Sequence, residues 1–484
     1  MIRLSEQDVS RRRTKIVATL GPSTDDPAVL ERLLEAGADV LRVNFSHGNR
    51  EQQIARIERA REVSEKVGRC IAIMGDLQGP KIRIESFAKG SVQLENGQPF
   101  ALDIEMDPTA GDETAVNVAY PQLVNDVQPG DVLLLDDGQI VLQAESVGKT
   151  RIECRVIQGG ELSSKKGLNK RGGGLSAPAL TDKDREDIVT AAKYGLDFVA
   201  VSFARDAADI DEARRLVREA GGHAYIVAKI ERAEAVQNIK SIIAASDAIM
   251  VARGDLAVEV GYASMTGLQK GLIRLARSQN KVSITATQML ESMVHHASPT
   301  RAEVSDVANA VMDGTDAVML SAETAVGRYP VQAVATMAEL CVGAEKHETF
   351  RRAANYRLED VFEYVDEAIA MAVMYVANHL KVKAIIALTE SGSTTLWMSR
   401  VRSDIPIYAF TRNETTRRRV TLYRGVYPVL FDVTKIDPSN IHEHLFDSLR
   451  QDGALQPGDR VIFTRGELQG VSGGTNTMQI LTVP

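Results

Sequence analysis

Cysteine is scarce in this chain: Cys70, Cys154 and Cys341 stand far apart and form no C-x-x-C pair. Neither a disulfide framework nor a thiolate zinc site is expected, and a reducing, cytoplasmic setting fits. The eight histidines show no ligand spacing, which leaves carboxylate oxygens as metal donors and favours Mg²⁺ (or Mn²⁺). Basic excess is missing too. The formal net charge is -8, so neither nucleic acid nor a membrane surface is expected as a partner, and substrates should be small. Long apolar runs are absent near the start: after Arg11 to Arg13, TKIVATL meets Gly21-Pro22 too soon to be a signal-peptide core or a membrane span. The three arginines read as a solvated or interface-facing lead-in.

What is present is alternation. Eight short β-branched runs, beginning with Thr14 to Leu20 and Asp39 to Phe45 and ending with Val282 to Gln288 and Ala317 to Glu323, are separated by amphipathic helical stretches. Near-continuous apolar strands alternating with helices predict a parallel sheet covered on its outer face, and eight such units make a (β/α)₈ TIM barrel. Between Ile82 and Ala177 helical periodicity gives way to short alternating strands. Asn96-Gly97 and Asp137-Gly138 carry hairpin signals, so an all-β lid inserted after the third barrel strand is expected, with Gly172 to Gly174 and Pro178 as its return hinge. After about Lys346 the alternation resumes as a doubly wound α/β domain. The expected division is 1–81 with 178–345 for the barrel, 82–177 for the lid and 346–484 for the C-terminal domain, consistent with a chain of 484 residues.

The chemistry concentrates where strands end. AKIERAEAV and VARGDLAVEV put Lys229, Glu231 and Asp255 at the ends of two apolar runs, the second expected to run from Ala248 to Asp255. A lysine beside two carboxylates suits a divalent metal next to a cation facing developing negative charge, as in phosphoryl transfer and enolate chemistry; the alternative is a buried ion network that only fixes a loop. In LRVNFSHG, Arg42 and Asn44 share one strand face, with Ser46 and His47 following in the loop. TESGSTT, with Thr389, Ser391, Gly392, Ser393, Thr394 and Thr395, is a hydroxyl-rich turn that is either an anion site or an ordinary helix cap. Arg417 to Arg419 read as a solvated helix face.

LRVNFSHG, GDLQGPKIR, AKIERAEAV, VARGDLAVEV, TATQMLESM and PTRAEVSDVANAVMDGTDAVMLSAETAVGRYP occur in this order and together closely resemble pyruvate kinase. The resemblance implies a barrel, a mobile β lid and a C-terminal regulatory domain. It implies transfer of a phosphoryl group from phosphoenolpyruvate to ADP, giving pyruvate and ATP. Glu231 and Asp255 match the Mg²⁺ ligands, and Lys229 the cation on the transferring group. Arg42 and Arg83 match phosphate contacts; Gly254, Asp255 and Thr287 match the substrate carboxylate site, with Thr287 also on the proton path. His47, Asn44, Lys166 and Asp137 match positions toward the nucleotide. Asn44, Ser46, Asp76 and Leu77 match the surroundings of the family's K⁺. It further implies a homotetramer and a phosphorylated activator at Thr389 to Thr395 with the loop Arg465 to Asn476; a sugar monophosphate or AMP is expected.

One position departs from the commoner pattern, in which the motif reads GPEIR. Lys81 stands where the acidic residue does, and a tethered ammonium there would supply the charge of K⁺, so no K⁺ requirement is expected; the alternative has Lys81 pointing to solvent. Two other functions share some of these residues: a metal-dependent lyase of pyruvate-type enolates, and a non-catalytic sugar-phosphate sensor.

Overall fold

Five-residue apolar runs with both faces buried can only be satisfied inside a covered parallel sheet, and the computed structural model, which describes residues 12–346, 361–466 and 473–484, closes them into a barrel. Its strands are β1 (Lys15–Thr19), β2 (Val40–Asn44), β3 (Ala72–Asp76), β4 (Phe198–Val201), β5 (Tyr225–Ile230), β6 (Ala248–Ala252), β7 (Val282–Ala286) and β8 (Ala317–Leu320). They follow one another around the ring in chain order, β8 returning to β1. Helices are delimited by local chemistry. Asp26 accepts the N–H of Ala28 at 2.9 Å at the start of Pro27–Glu35, and proline opens the first turn, where it has no donor to lose.

One expected boundary moves. β6 stops at Ala252, and Arg253–Val260 forms a helix, α2, preceded in the chain by the short helix α1 (Ala233–Gln237). Asp255 therefore sits in the first turn of a helix rather than on a strand, where the N–H groups have no partners from the helix itself.

By contact density the chain divides into two units, Met1–Gly75 with Tyr194–Phe198 and Ile273–Pro484, and Asp76–Lys193 with Val199–Leu272. The second unit contains the β insertion. Its core gathers Phe100, Leu102, Leu133, Leu142, Ile152 and Val156, all 1 % exposed or less, between a six-stranded sheet and a two-stranded one. Asp137-Gly138 does turn a hairpin, joining Val132–Leu135 to Ile140–Val147. Asn96-Gly97 does not. The strand before it, Ser91–Leu94, pairs with Gly160–Ser163, whereas the strand after it, Pro99–Asp103, pairs with Arg151–Gln158. The turn survives, but Asn96 Oδ1 accepts the N–H of Gly159 (2.7 Å) and thereby joins two sheets. At the return hinge Gly172, Gly173 and Gly174 have φ of 81°, 83° and 97°. The positive φ favours glycine at Gly173, where a Cβ would also displace the Glu234 carboxylate by approaching it to 2.6 Å.

In the first unit a C-terminal five-stranded sheet contains β9 (Ala384–Leu388), β10 (Ile407–Thr411), β11 (Val426–Leu430), β12 (Arg460–Gly466) and β13 (Thr475–Thr482), in the order β11-β10-β9-β12-β13. All pairs are parallel except the last. No helix among the described residues is long and apolar enough to cross a membrane.

Arg12 and Arg13 are not a solvated lead-in. They are 4 % and 8 % exposed, because carboxylates from distant segments close over them. Arg12 donates to Gly37 O (2.6 Å) and Asp39 Oδ2 (2.9 Å), and Arg13 to Glu345 O (2.8 Å). Glu345 also accepts the Thr14 N–H (2.6 Å) and hydroxyl (2.7 Å). Burial would raise its carboxyl, but Arg424, Arg13 and these hydrogen bonds outweigh burial and hold it below its ordinary value. Glu345→Gln should therefore destabilise this unit by about 3–5 kcal/mol, the cost of stranding a buried guanidinium. A depressed carboxyl contributes stability above its unfolded value that is lost as pH falls toward the folded one. The gap between variant and wild type, read by urea denaturation, should be full at pH 7 and shrink on acidification below about pH 4.5.

Candidate active site

Lys229 occupies the penultimate position of β5, flanked by Ala228 and Ile230, both fully buried. Its ammonium has three donors and meets three acceptors: Ser202 Oγ at 2.7 Å, Glu231 Oε1 at 2.9 Å and Asp76 Oδ1 at 3.2 Å. The side chains of Asp76 and Glu231 are 1 % and 2 % exposed. Retaining such groups in a dry strand end requires this mutual pairing. The Ser202 hydroxyl hands its own proton to Leu77 O (2.7 Å), which leaves its lone pair for the lysine.

Glu231 is fixed on its other side. Its Oε2 accepts the N–H of Phe203 at 2.9 Å, and Phe203 has φ of 55°, a left-handed conformation costly for an aromatic residue. The Phe203 ring lies against Gly79, where a Cβ would approach it to 2.8 Å. Burial pushes the Glu231 carboxyl up; Lys229 opposes this, while Asp255 and Asp76 add to it. Asp76, Glu231 and Asp255 stand against the ammonium groups of Lys229 and Lys81, an excess of carboxylate that a divalent cation relieves.

Asp255, in the first turn of α2, receives Lys81 at 3.0 Å, and Lys81 also lies 3.9 Å from Asp137. Lys81 therefore does not point to solvent. Lys166 pairs with Asp136 (2.8 Å), while Arg83 is exposed and donates to Lys165 O (3.0 Å). Among the described residues no three His, Cys, Asp or Glu side chains group as a metal cage. The two carboxylates Glu231 and Asp255 still fit Mg²⁺, which keeps waters or substrate oxygens for most of its octahedron.

The remaining predicted residues belong to the other unit. Arg42, on β2, is 8 % exposed and donates to Thr19 Oγ1 at 3.0 Å. Asn44 Oδ1 accepts the Ser46 N–H (3.0 Å), and Ser46 and His47 are exposed. Thr287 follows β7 directly, with φ of 69°, and Gln288 repeats the left-handed conformation at 52°. The buried Glu323 carboxylate supports that loop by accepting the N–H groups of Leu290 (3.0 Å) and Ser321 (2.7 Å). Sequence reasoning missed Ser202, Phe203 and Glu323 as site-builders. The signal available was position: Ser202 and Phe203 end an apolar run just as Lys229 does.

The turn at Thr389 leads into the helix α3 (Ser393–Ser399), whose first turn receives no side-chain cap, and opens on a cavity of about 210 Å³ lined by Thr389, Ser391, Ser393 and Thr394 together with Arg412 and Arg465. Gly392 and Thr395 serve the turn itself: the Thr395 hydroxyl donates to Gly392 O (2.8 Å), and Gly392 has φ of 86°. Residues 467–472 of the loop expected beside it lie outside the described residues. Arg417 and Arg418 are half-buried rather than solvated, Arg418 donating to the enclosed Asp197 at 2.8 Å.

Ammonium groups held against carboxylates at the C-terminal ends of barrel strands serve reactions in which negative charge grows on oxygen, and these define a metal-assisted phosphoryl-transfer or enolate-handling barrel enzyme. Similarity to known proteins narrows that class. Residues 11–334 match the pyruvate kinase barrel domain and residues 367–481 the pyruvate kinase alpha/beta domain. "Pyruvate kinase II" of Salmonella typhimurium is 54% identical over 476 residues, covering 98% of this chain and 99% of its own. The pyruvate kinase of Haemophilus influenzae is 50% identical over 94% of this chain and 96% of its own. A crystal structure of a pyruvate kinase from Cryptosporidium parvum superposes with a TM-score of 0.93 at 34% identity, covering all of this chain and 98% of that one. The chain belongs to the pyruvate kinase family and transfers the phosphoryl group of phosphoenolpyruvate to ADP, giving pyruvate and ATP. The lyase and sensor readings fall with that result. Pyruvate kinases generally need Mg²⁺ and often K⁺.

Proposed function

We propose that Lys229 is the cation on the transferring phosphoryl group, and the observation that carries this is its enclosure by Asp76, Glu231 and Ser202. Three fixed acceptors hold the ammonium still, so it stabilises charge without reorganising at the moment of reaction. Glu231 and Asp255 would hold Mg²⁺, which supplies Lewis-acid charge to the substrate oxygens when bound. Arg42 and Arg83 bind the phosphate. The first-turn N–H groups at Gly254 and Asp255 and the Thr287 hydroxyl orient the carboxylate, and Thr287 lies on the path of the proton to the enolate carbon. Asn44, His47, Lys166 and Asp137 face the nucleotide. These roles follow the modules 1–81 with 178–345, 82–177 and 346–484, in a cytoplasmic homotetramer whose mass sedimentation would report.

Lys229→Met should lower kcat by about 3 kcal/mol or more in activation free energy. Apparent affinities for phosphoenolpyruvate and Mg²⁺ should stay within a few-fold; near-normal turnover would remove Lys229 from the mechanism.

Lys81 substitutes for the monovalent cation in this reading. Its ammonium, 3.0 Å from Asp255, is tethered and carries the same charge as K⁺ without the entropy of recruiting an ion. Activity should be nearly equal in potassium and tetraalkylammonium salts at matched ionic strength, and Lys81→Glu should lower it and create K⁺ dependence. A wild-type rate that collapses without K⁺ overturns this.

The cavity at Thr389 is the activator site, and its occupant is a sugar monophosphate or AMP. Glu390 lines the cavity beside Arg412, 3.2 Å away, and a carboxylate there disfavours a second phosphate. Replacing Ser391, Ser393 and Thr394 together by alanine should abolish stimulation by AMP and hexose monophosphates and leave the maximal rate. A full response in the triple variant places the effector elsewhere.

A further inference from the structure

Glu259 lies one helical turn beyond Asp255, near the end of α2, and its residue is only 4 % exposed. Nothing in the roles above uses it, and burial pushes its carboxyl up to about 7. A buried carboxylate is retained only where its lone pairs are occupied, and here they are occupied by two different parts of the molecule. Oε2 accepts the N–H of Ala233 at 2.8 Å, and Oε1 accepts the Asn169 amide at 3.3 Å. Ala233 opens α1, two residues after Glu231. Asn169 belongs to the lid strand Leu168–Lys170, which follows Lys166. The backbone carbonyl of Glu259 accepts the N–H of Gly172 at the return hinge (3.1 Å).

The neighbouring residue makes the same connection with apolar contacts. Val258 packs against Leu134 and Val141 of the β insertion. Across the hinge, Arg232 donates to Leu175 O (2.6 Å) and pairs with Glu234 (2.8 Å), whose carboxylate accepts the N–H of Gly174. One turn of α2, the helix that carries Asp255, thus touches both the segment that follows Glu231 and the lid.

We propose that Glu259 is a positioning residue that registers the metal-ligand loop and the lid to each other. It touches no reacting atom; it sets where Glu231 stands relative to Asp255 and couples that placement to the lid that brings Lys166 and Asp137 to the nucleotide. This rests on Glu231 and Asp255 being the metal ligands and on the insertion acting as a lid. Outer partners of a metal site change affinity when they are lost even though the ligands remain, typically by about ten-fold or more.

The test compares Glu259→Ala, Glu259→Gln and Asn169→Ala with wild type in Mg²⁺ and ADP titrations of the full-length enzyme, with thermal unfolding in parallel. Glu259→Ala should raise the apparent constants for Mg²⁺ and for ADP by about ten-fold each, with a smaller change in kcat. Asn169→Ala should raise only the ADP constant, because the Ala233 contact survives. Glu259→Gln should recover both: its amide oxygen accepts from Ala233, and the Asn169 amide turns over to accept from the new NH₂. A purely structural role predicts instead a fall in unfolding temperature with both constants unchanged, which would overturn the proposal. So would a Glu259→Gln enzyme whose Mg²⁺ and ADP constants rise about ten-fold over wild type, or an Asn169→Ala enzyme with an unaltered ADP constant; these two remain decisive even where Glu259→Ala does not fold. Glu231→Gln, run alongside, separates the two readings: unchanged Mg²⁺ dependence there sinks the ligand assignment itself, whatever Glu259 does.

Discussion

An ammonium surrounded by Asp76, Glu231 and Ser202 in the dry end of a barrel is the interaction on which the site depends. Buried charges of either sign are retained at that depth only when they are paired. Paired in this way, each fixes the others. Burial, with Asp255 and Asp76 adding to it, keeps the Glu231 carboxyl raised in spite of Lys229. The strained backbone of Phe203 is understandable on the same ground, because its N–H is what holds Glu231 in place.

Support for that cluster comes from segments inserted between strands. The lid is attached through three glycines in left-handed conformations and through polar contacts from Glu234, Arg232 and Glu259, rather than through a large apolar interface. Val258 with Leu134 and Val141 forms only a small apolar patch.

The first unit relies on buried arginine instead. Arg400, fully enclosed after α3, donates to Asp316 (2.9 Å) and to Lys281 O (2.6 Å), immediately before β8 and β7. Arg424 donates to the Thr14 hydroxyl (2.8 Å) and to Thr315 O (3.1 Å). Guanidinium groups have enough donors to satisfy several carbonyls and a carboxylate at once, so this unit joins the helix at the C-terminal cavity to the beginnings of two barrel strands through groups that cannot be left half-paired.

Local patterning determined much of this protein. The eight strands lie inside their apolar runs, Asp26 caps its helix, and Asp137-Gly138 turns its hairpin, because burial of consecutive residues and turn chemistry act over a few positions. The ordered motifs carried the family and the names of Lys229, Glu231, Asp255 and Thr287. Only the tertiary structure decided what each of these touches. Ser202, 27 residues before Lys229, could not be read as its partner. The burial of Arg12 and Arg13 depends on Glu345, more than three hundred residues away. Asn96-Gly97 looked like a hairpin until pairing elsewhere took both flanking strands, and Asp255 moved from strand to helix because the barrel needed β6 only as far as Ala252. Hydrophobic period encodes which side of an element is buried but not against what, and the charges of this site acquire their partners only when distant strand ends are brought together.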